Sequence, residues 1–391
     1  MRKAVLALAA VGVMAVAGTA ACTDDGNGGT SSNAGGVRTG GNGPGKIGVI
    51  LPDTTTSQRW KTDDPKYLKA AFDLAGVPVE IQNAEGNKTR FGQIADQMIG
   101  EGVKVLMIVN LDSETGAQVL AKARAAKIKT IDYDRLTLNG GADYYVSFNN
   151  VEVGRLQGRG LVQCLAEKKA VDPVVAELNG SPTDNNATLF KQGYDSILQP
   201  MYDEAQYTKG PDQPVADWDN AEGGKIFAQM LDQQPRIRGV LAANDGLAGA
   251  VIEVLKKHGL NGKVPVTGQD ATVDGLRSIL VGDQCMTVYK AIKPEAQAAA
   301  NLAIALYKGQ KPSPENIKYP IGKIKDPESG AYIPFVSLTP QAITRESIND
   351  VIVDGFASAS DVCKGQPYQR LCKQYKIGQP APKTSESASP K

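Results

Sequence analysis

The sequence predicts an α/β protein built from two doubly wound parallel-sheet lobes. From Lys46 onward, short β-branched or continuous apolar runs alternate with segments of helical periodicity. That alternation is the pattern of strand–helix–strand units with helices on both sheet faces. It runs to about Arg135, restarts at "YYVSFNN" (144–150), and continues to about Gln310. Two blocks mean two sheets, and 391 residues give room for two or more ordinary domains.

"KIGVILP" (46–52) reads as the first strand, a helix is expected over 65–75, and "VPVEIQNA" (77–84) as the second strand. In "RFGQIADQMIGEG", Phe91, Ile94, Met98 and Ile99 fall on one helical face, with Gly100 and Gly102 at the exit. "VKVLMIVN" is apolar throughout, as in a strand buried on both faces. A helix over 114–126 and the strand "KTIDYDR" complete the first block. The second opens with "YYVSFNN" and a helix over 151–167, then the strand "DPVVAELNGSP" and a helix over 186–198. Helix "GGKIFAQMLDQQP", strand "RGVLAAND", helix "GLAGAVIEVLKKHGL", strand "KVPVTGQD" and helix "VDGLRSILVGD" follow. Strand "CMTVYK" and the Ala-rich helix "PEAQAAANLAIALYKGQ" end the pattern. Beyond Lys311 the chain becomes Pro-rich and irregular, and "APKTSESASPK" is expected to be disordered.

The N-terminus reads as an export signal. Arg2 and Lys3 precede the apolar run 4–17, which is too short for a membrane span, and "GTAAC" ends at Cys22. A cysteine after small residues resembles the bacterial lipoprotein signal, which implies lipidation of Cys22 and anchoring on the outer face of the cell membrane. Residues 22–45 are rich in Gly, Ser and Asn and read as a flexible tether. "GGNGPGKI" within it is no phosphate loop, since Ile47 stands where Ser or Thr is needed and the stretch precedes a strand. Cys164, Cys285, Cys363 and Cys372 remain, an even number in an exported chain. Three pairings are open. Cys363–Cys372 is favoured because it closes a short loop, and Cys164–Cys285 follows by elimination. The only histidine, His258, ends a helix before Gly259, and no metal pattern or cofactor motif is present.

With 43 basic against 42 acidic residues and no basic block, the chain gives no sign of nucleic-acid binding. Ligands of open parallel sheets bind beyond the carboxyl ends of the strands. Those positions carry Arg59, Trp60 and Asp63, then Asp134 and Arg135, then Asn186, Asn244, Asp270 and Lys290. The second tryptophan, Trp218, precedes a helix of the second block. The set suits a sugar. Its hydroxyls donate and accept, and hydrogen bonds to charged groups contribute roughly 1.5–3 kcal/mol each. Its C–H faces pack on indole rings, where aromatic stacking adds about 0.5–1.5 kcal/mol. Taken singly, Asn186, Asn244 and Asp270 also suit helix caps, Lys290 a solvated side chain, and Trp60 packing at a lobe's edge.

The motifs "RW" with Asp63, "YDRL", "SFNNVEVGRLQG", "GSPTDNNA", "AND", "GQDA" and "MTVYK" stand in one order over about 46–310. In them the chain resembles the sugar-binding proteins of bacterial ABC transporters with the type I periplasmic fold, in particular the D-xylose-binding and multi-sugar, glucose-type members. The resemblance implies two Rossmann-like lobes joined by a three-stranded hinge. The first lobe is expected to take 46–149 and 290–325, the second 150–289 and 326–350, with 351–391 as an extension. It further implies that Arg59, Asp63, Asp134 and Arg135 hydrogen-bond a monosaccharide from the first lobe while Trp60 stacks on it. Asn186, Trp218, Asn244 and Asp270 act from the second lobe, and Lys290 closes the site near the hinge. D-xylose is the expected ligand, with glucose or a broader set next, and delivery goes from a monomer to an ABC permease. Trp60→Ala is expected to leave the fold nearly intact.

A sensor reporting to a signalling partner would have the same site. A carbohydrate hydrolase could use Asp134 and Asp270 as its carboxylate pair, but no hydrolase motif accompanies them. A repressor of this fold needs a DNA-binding head where the signal and linker stand.

Overall fold

A computed structural model describes residues 45–379. The signal segment, Cys22 and the last twelve residues lie outside the described residues. The first sheet carries β1 (Ile47–Leu51), β2 (Val79–Asn83), β3 (Val105–Ile108), β4 (Lys129–Tyr133) and β5 (Tyr144–Phe148). All pair in parallel. β1 and β3 are wholly buried and central, while β2 at the edge is half-buried, so their composition follows their place in the sheet. The crossovers are α1 (Asp64–Leu74), α2 (Lys88–Gly100) and α3 (Ser113–Ala125). Asn87 and Asp112 cap α2 and α3 by accepting from Arg90 N and Thr115 N.

α4 (Asn150–Glu167) carries the chain to the second sheet, of β6 (Val174–Asn179), β7 (Thr208–Pro214) and β8 (Ile237–Ala242) in the order β7-β6-β8. α5 (Asn185–Asp203), α6 (Asn220–Gln233), α7 (Asp245–Lys257) and α8 (Val273–Val281) surround it. His258 is the C-cap of α7. The expected strand "KVPVTGQD" is extended but forms a single bridge, Val240–Val266. It nonetheless lies between β8 and β9 (Thr287–Tyr289), since Thr267 N donates to Val240 O and Asp270 N to Val288 O. α4 and α5 cross with their backbones in contact. A Cβ on Gly154 would lie 1.9 Å from the Phe190 carbonyl oxygen, and one on Gly193 2.2 Å from that of Val151.

α9 (Ile292–Tyr307) returns to the first sheet, where Ala296, Ala299 and Leu302 join its core, and α10 (Pro314–Ile317) follows. β10 (Gly322–Lys325) and β11 (Tyr332–Leu338) then extend that sheet, giving the order β10-β11-β5-β4-β3-β1-β2. β11 pairs in parallel with β5. This corrects the expectation that 326–350 lies wholly in the second lobe: β11 belongs to the first, because β5 offers it a parallel edge. Only then does the chain cross to β12 (Gln341–Ile343), antiparallel to β9. Among the described residues the sheets are thus linked three times, after β5, after β9 and between β11 and β12.

The extension is ordered into α11 (Ile348–Val353), α12 (Ala359–Val362) and α13 (Tyr368–Gln374). Val351, Val362, Cys372 and Ile377 pack on Leu276, Ile279 and Leu280 of α8. Cys363 is joined to Cys372, Cα atoms 5.9 Å apart, and Cys164 to Cys285, Cα atoms 6.4 Å apart.

Candidate functional site

Arg59 and Trp60 open a π-helical turn, Arg59–Asp63, between β1 and α1. The Arg59 guanidinium is buried and clamped. Asp64 accepts from its Nε and Nη2 at 2.9 Å each, Glu295 accepts from Nη2 at 2.7 Å, and Asp134 from Nη1 at 2.8 Å. Its centre stacks 4.0 Å from the centroid of the Trp60 ring. Tyr133 Oη donates to Asp64 at 2.5 Å.

Asp134 and Arg135 follow β4. Asp134 has φ +60°, a strained value for a non-glycine residue, held because Tyr145 and Ser147 hydroxyls donate to its carbonyl at 2.9 and 2.8 Å. Its carboxylate also meets Lys290 Nζ at 3.4 Å and Asn186 Nδ2 at 3.1 Å. Burial alone would raise its pKa, but Lys290, Arg59 and Arg135 outweigh burial and hold it at about 2. Arg135 donates from Nη1 to Asn110 O at 3.1 Å and lies 3.0 Å from Asp184 of the second lobe.

In the second lobe Asp184, not Asn186, is the N-cap of α5. Asn186 is turned into the pocket. Its Oδ1 accepts from Asn150 Nδ2 at 2.7 Å, and its Nδ2 reaches across to Asp134 O at 3.0 Å. Trp218 sits in a 3₁₀ turn with φ +56°, after Asp217 at +52°. Its indole N–H donates to Asp184 at 3.2 Å, and its ring lies against Gly180, where a Cβ would fall 2.0 Å away. Asn244 caps α7 through Oδ1, at 2.9 Å from Leu247 N, which leaves its amide N–H groups for the pocket.

Asp270 has φ +105° and sits in a loop held by buried Asp245, which accepts from Thr272 N, Gln284 and Thr287 at 2.8 Å each. Burial pushes Asp245 up to about 7. Burial also raises Asp270, against the nearby Lys290 and Arg59. Lys290, on the second crossing, lies 3.9 Å from Asp270. Buried Glu295, on α9, has no hydrogen-bond partner for Oε1 among the described residues. Burial first, then Asp134 and Asp64, push its pKa up to about 8, against Arg59 and Lys290.

Nine of the ten expected side chains, Arg59, Trp60, Asp134, Arg135, Asn186, Trp218, Asn244, Asp270 and Lys290, line one pocket of about 40 Å³ between the lobes, with Phe190, Asp184 and Gln269. Asp63 does not. It lines an adjoining cavity with Thr272, Arg277 and Phe356, which shares Arg59 and Asp270 with the pocket, and its neighbour Asp64 is the carboxylate bonded to Arg59. A larger chamber of about 390 Å³ opens outward from the pocket past Arg135, Asp184 and Trp218. The convergent charges are in the inner pocket, which is therefore the candidate site. Sequence reasoning missed Asp64, Asp184 and Glu295. Asp184 was signalled by its place two residues before Asn186, and Glu295 by no local feature.

A periplasmic binding protein domain matches residues 47–311, and the chain belongs to that family, whose members are binding proteins and not enzymes. The chain is 35% identical over 320 residues to the D-xylose-binding periplasmic protein of Escherichia coli, covering 81% of this chain and 92% of that one. To a multiple sugar-binding periplasmic receptor of Rhizobium radiobacter it is 32% identical over 335 residues, covering 82% and 92%. The structure of a carbohydrate transporter solute-binding protein from Chloroflexus aurantiacus in complex with D-glucose matches with a TM-score of 0.71 at 26% identity, covering 81% of this chain and 97% of that one. Among the described residues no helix is long and apolar enough to cross a membrane.

Proposed function

We propose that this protein binds a monosaccharide, D-xylose before D-glucose, between its lobes and delivers it to an ABC permease, held at the outer face of the membrane by a lipid on Cys22. The observation that carries the reading is the interlobe pocket itself. Two buried tryptophans and a set of Asp, Asn, Arg and Lys side chains converge there from both sheets. The charged groups serve hydroxyls and the indoles serve C–H faces. A water takes roughly 10–15 Å³ of such space, so a sugar ring enters only when the lobes part. It then replaces the bonds that Asp134 makes to Asn186 and Lys290, and bridging the lobes favours the closed form. The xylose-binding relative supports xylose, and the multi-sugar receptor supports the broader reading. Calorimetric titration with D-xylose, D-glucose and L-arabinose separates the two. Tightest binding of xylose is expected, and no heat with any of the three would overturn the sugar reading. Metabolic labelling with a radioactive fatty acid tests the anchor, and a Cys22→Ser chain is expected to take up none.

A further inference from the structure

Five carboxyl groups, Asp64, Asp134, Asp184, Asp270 and Glu295, meet three cations, Arg59, Arg135 and Lys290, in one cluster. Were all ionised, negative charges would outnumber positive ones by two, and burying uncompensated charge costs far more than burying a neutral acid. The hydrogen bonds show where a proton is best kept. Asp64 accepts two guanidinium N–H groups and the Tyr133 hydroxyl. Asp134 accepts from Arg59, Lys290 and Asn186. Asp184 faces Arg135 and the Trp218 indole and caps α5. Asp270 accepts from Gln269 Nε2, faces Lys290 and is the least buried of the five, open to the pocket. Glu295, fully buried, has one donor, Arg59 Nη2, and an oxygen with no partner.

We propose that Glu295 is a positioning residue of the binding site, a neutral acid that fixes the Arg59 guanidinium against Trp60 without touching the ligand. A neutral acid still accepts the Arg59 N–H. It leaves the positive charge of Arg59 and Lys290 to Asp134, Asp270 and the sugar. The groups facing Glu295 are Arg59 of the π turn, Asp64 of α1, Tyr133 of β4, Asp134 after β4, Tyr145 of β5 and Lys290 after β9. Burial and the carboxylates among them favour the protonated form up to a pH of about 8. The inference rests on the reading of this pocket as a sugar site.

The test is titration of the full chain, Glu295→Gln and Glu295→Ala with D-xylose and with D-glucose, from pH 6 to 9.5, beside thermal melts. Glu295→Ala is expected to lose about tenfold or more in affinity at pH 7, since Arg59 loses one anchor. Glu295→Gln is expected to recover most of that loss. Above pH 8 the affinity of the unmodified protein falls by up to about tenfold per pH unit, the limit for one linked proton, while that of Glu295→Gln stays level. Should Glu295→Ala fail to fold, the two pH profiles decide. A folded Glu295→Gln that binds no better than Glu295→Ala, or a profile it shares with the unmodified protein, overturns the inference alone. No heat from the unmodified protein with either sugar overturns the sugar-site reading and the inference with it.

Discussion

Trp60 is 3% exposed, carries Arg59 on its ring and shares the first lobe's core with Leu68, Phe72 and Val49. Burial of that extent corrects the expectation that Trp60→Ala spares the fold. Truncation to alanine is expected to cost about 3–5 kcal/mol of stability together with sugar affinity. Trp60→Phe should keep most of the stability and lose part of the affinity, as denaturant unfolding and titration of both variants will show. Gly180 supports the second indole. A Cβ there would overlap the Trp218 ring, so Gly180→Ala is expected to displace Trp218 and weaken binding by about tenfold, on the scale of one lost stacking contact, with the far-ultraviolet spectrum unchanged. At this scale the polar side chains that follow strands led to the pocket, nine of the ten expected residues lining it, although Asp64 and Asp184, which also follow strands, were passed over. The sequence was a poor guide to Glu295, which meets Arg59 across 236 residues of chain and sits in an Ala-rich helix. Asp64 and not its neighbour Asp63 is bonded to Arg59, and no composition rule separates neighbours.

Among the elements, α4 and α5 make the tightest junction of the second lobe. Gly154 faces the Phe190 carbonyl, a backbone atom that cannot rotate aside. Gly154→Ala is therefore expected to destabilise by about 2 kcal/mol, overpacking outweighing the better helix propensity of alanine, measured as a lower unfolding midpoint. Apolar strands and amphipathic helices were legible because burial dictates their composition. β7, "TKGPDQP", was not legible: a half-exposed edge strand needs no apolar run and tolerates proline. β10, β11 and the helices of the extension were missed for a related reason. β10 and the helices are short, β11 is interrupted by Pro334, and β11 and α13 gain their stability from partners far away in the chain, β5 and α8.

For the whole molecule, pH acts through carboxyls held neutral by burial. Asp132 and Asp245 are raised to about 7 and Glu295 to about 8. In the unfolded chain they ionise near pH 4, so the stability that they favour is present below that and is lost as pH rises through 7 to 8. Asp134, lowered to about 2, acts oppositely, its contribution present above pH 4 and lost as pH falls toward 2. Melting temperature is therefore expected to be higher at pH 5 than at pH 8.5, and to drop again below pH 3; a curve rising from pH 5 to 8.5 would contradict the assignment. Three interlobe crossings also have a consequence for the order of synthesis. A nascent chain has made β1 to β5 long before it makes β11, yet β11 occupies the sheet edge beside β5. Until residue 338 emerges, that edge stands open to any extended strand nearby. The first lobe becomes complete only after β6 to β9 of the second have been made, and the second is closed in turn by β12 and the extension.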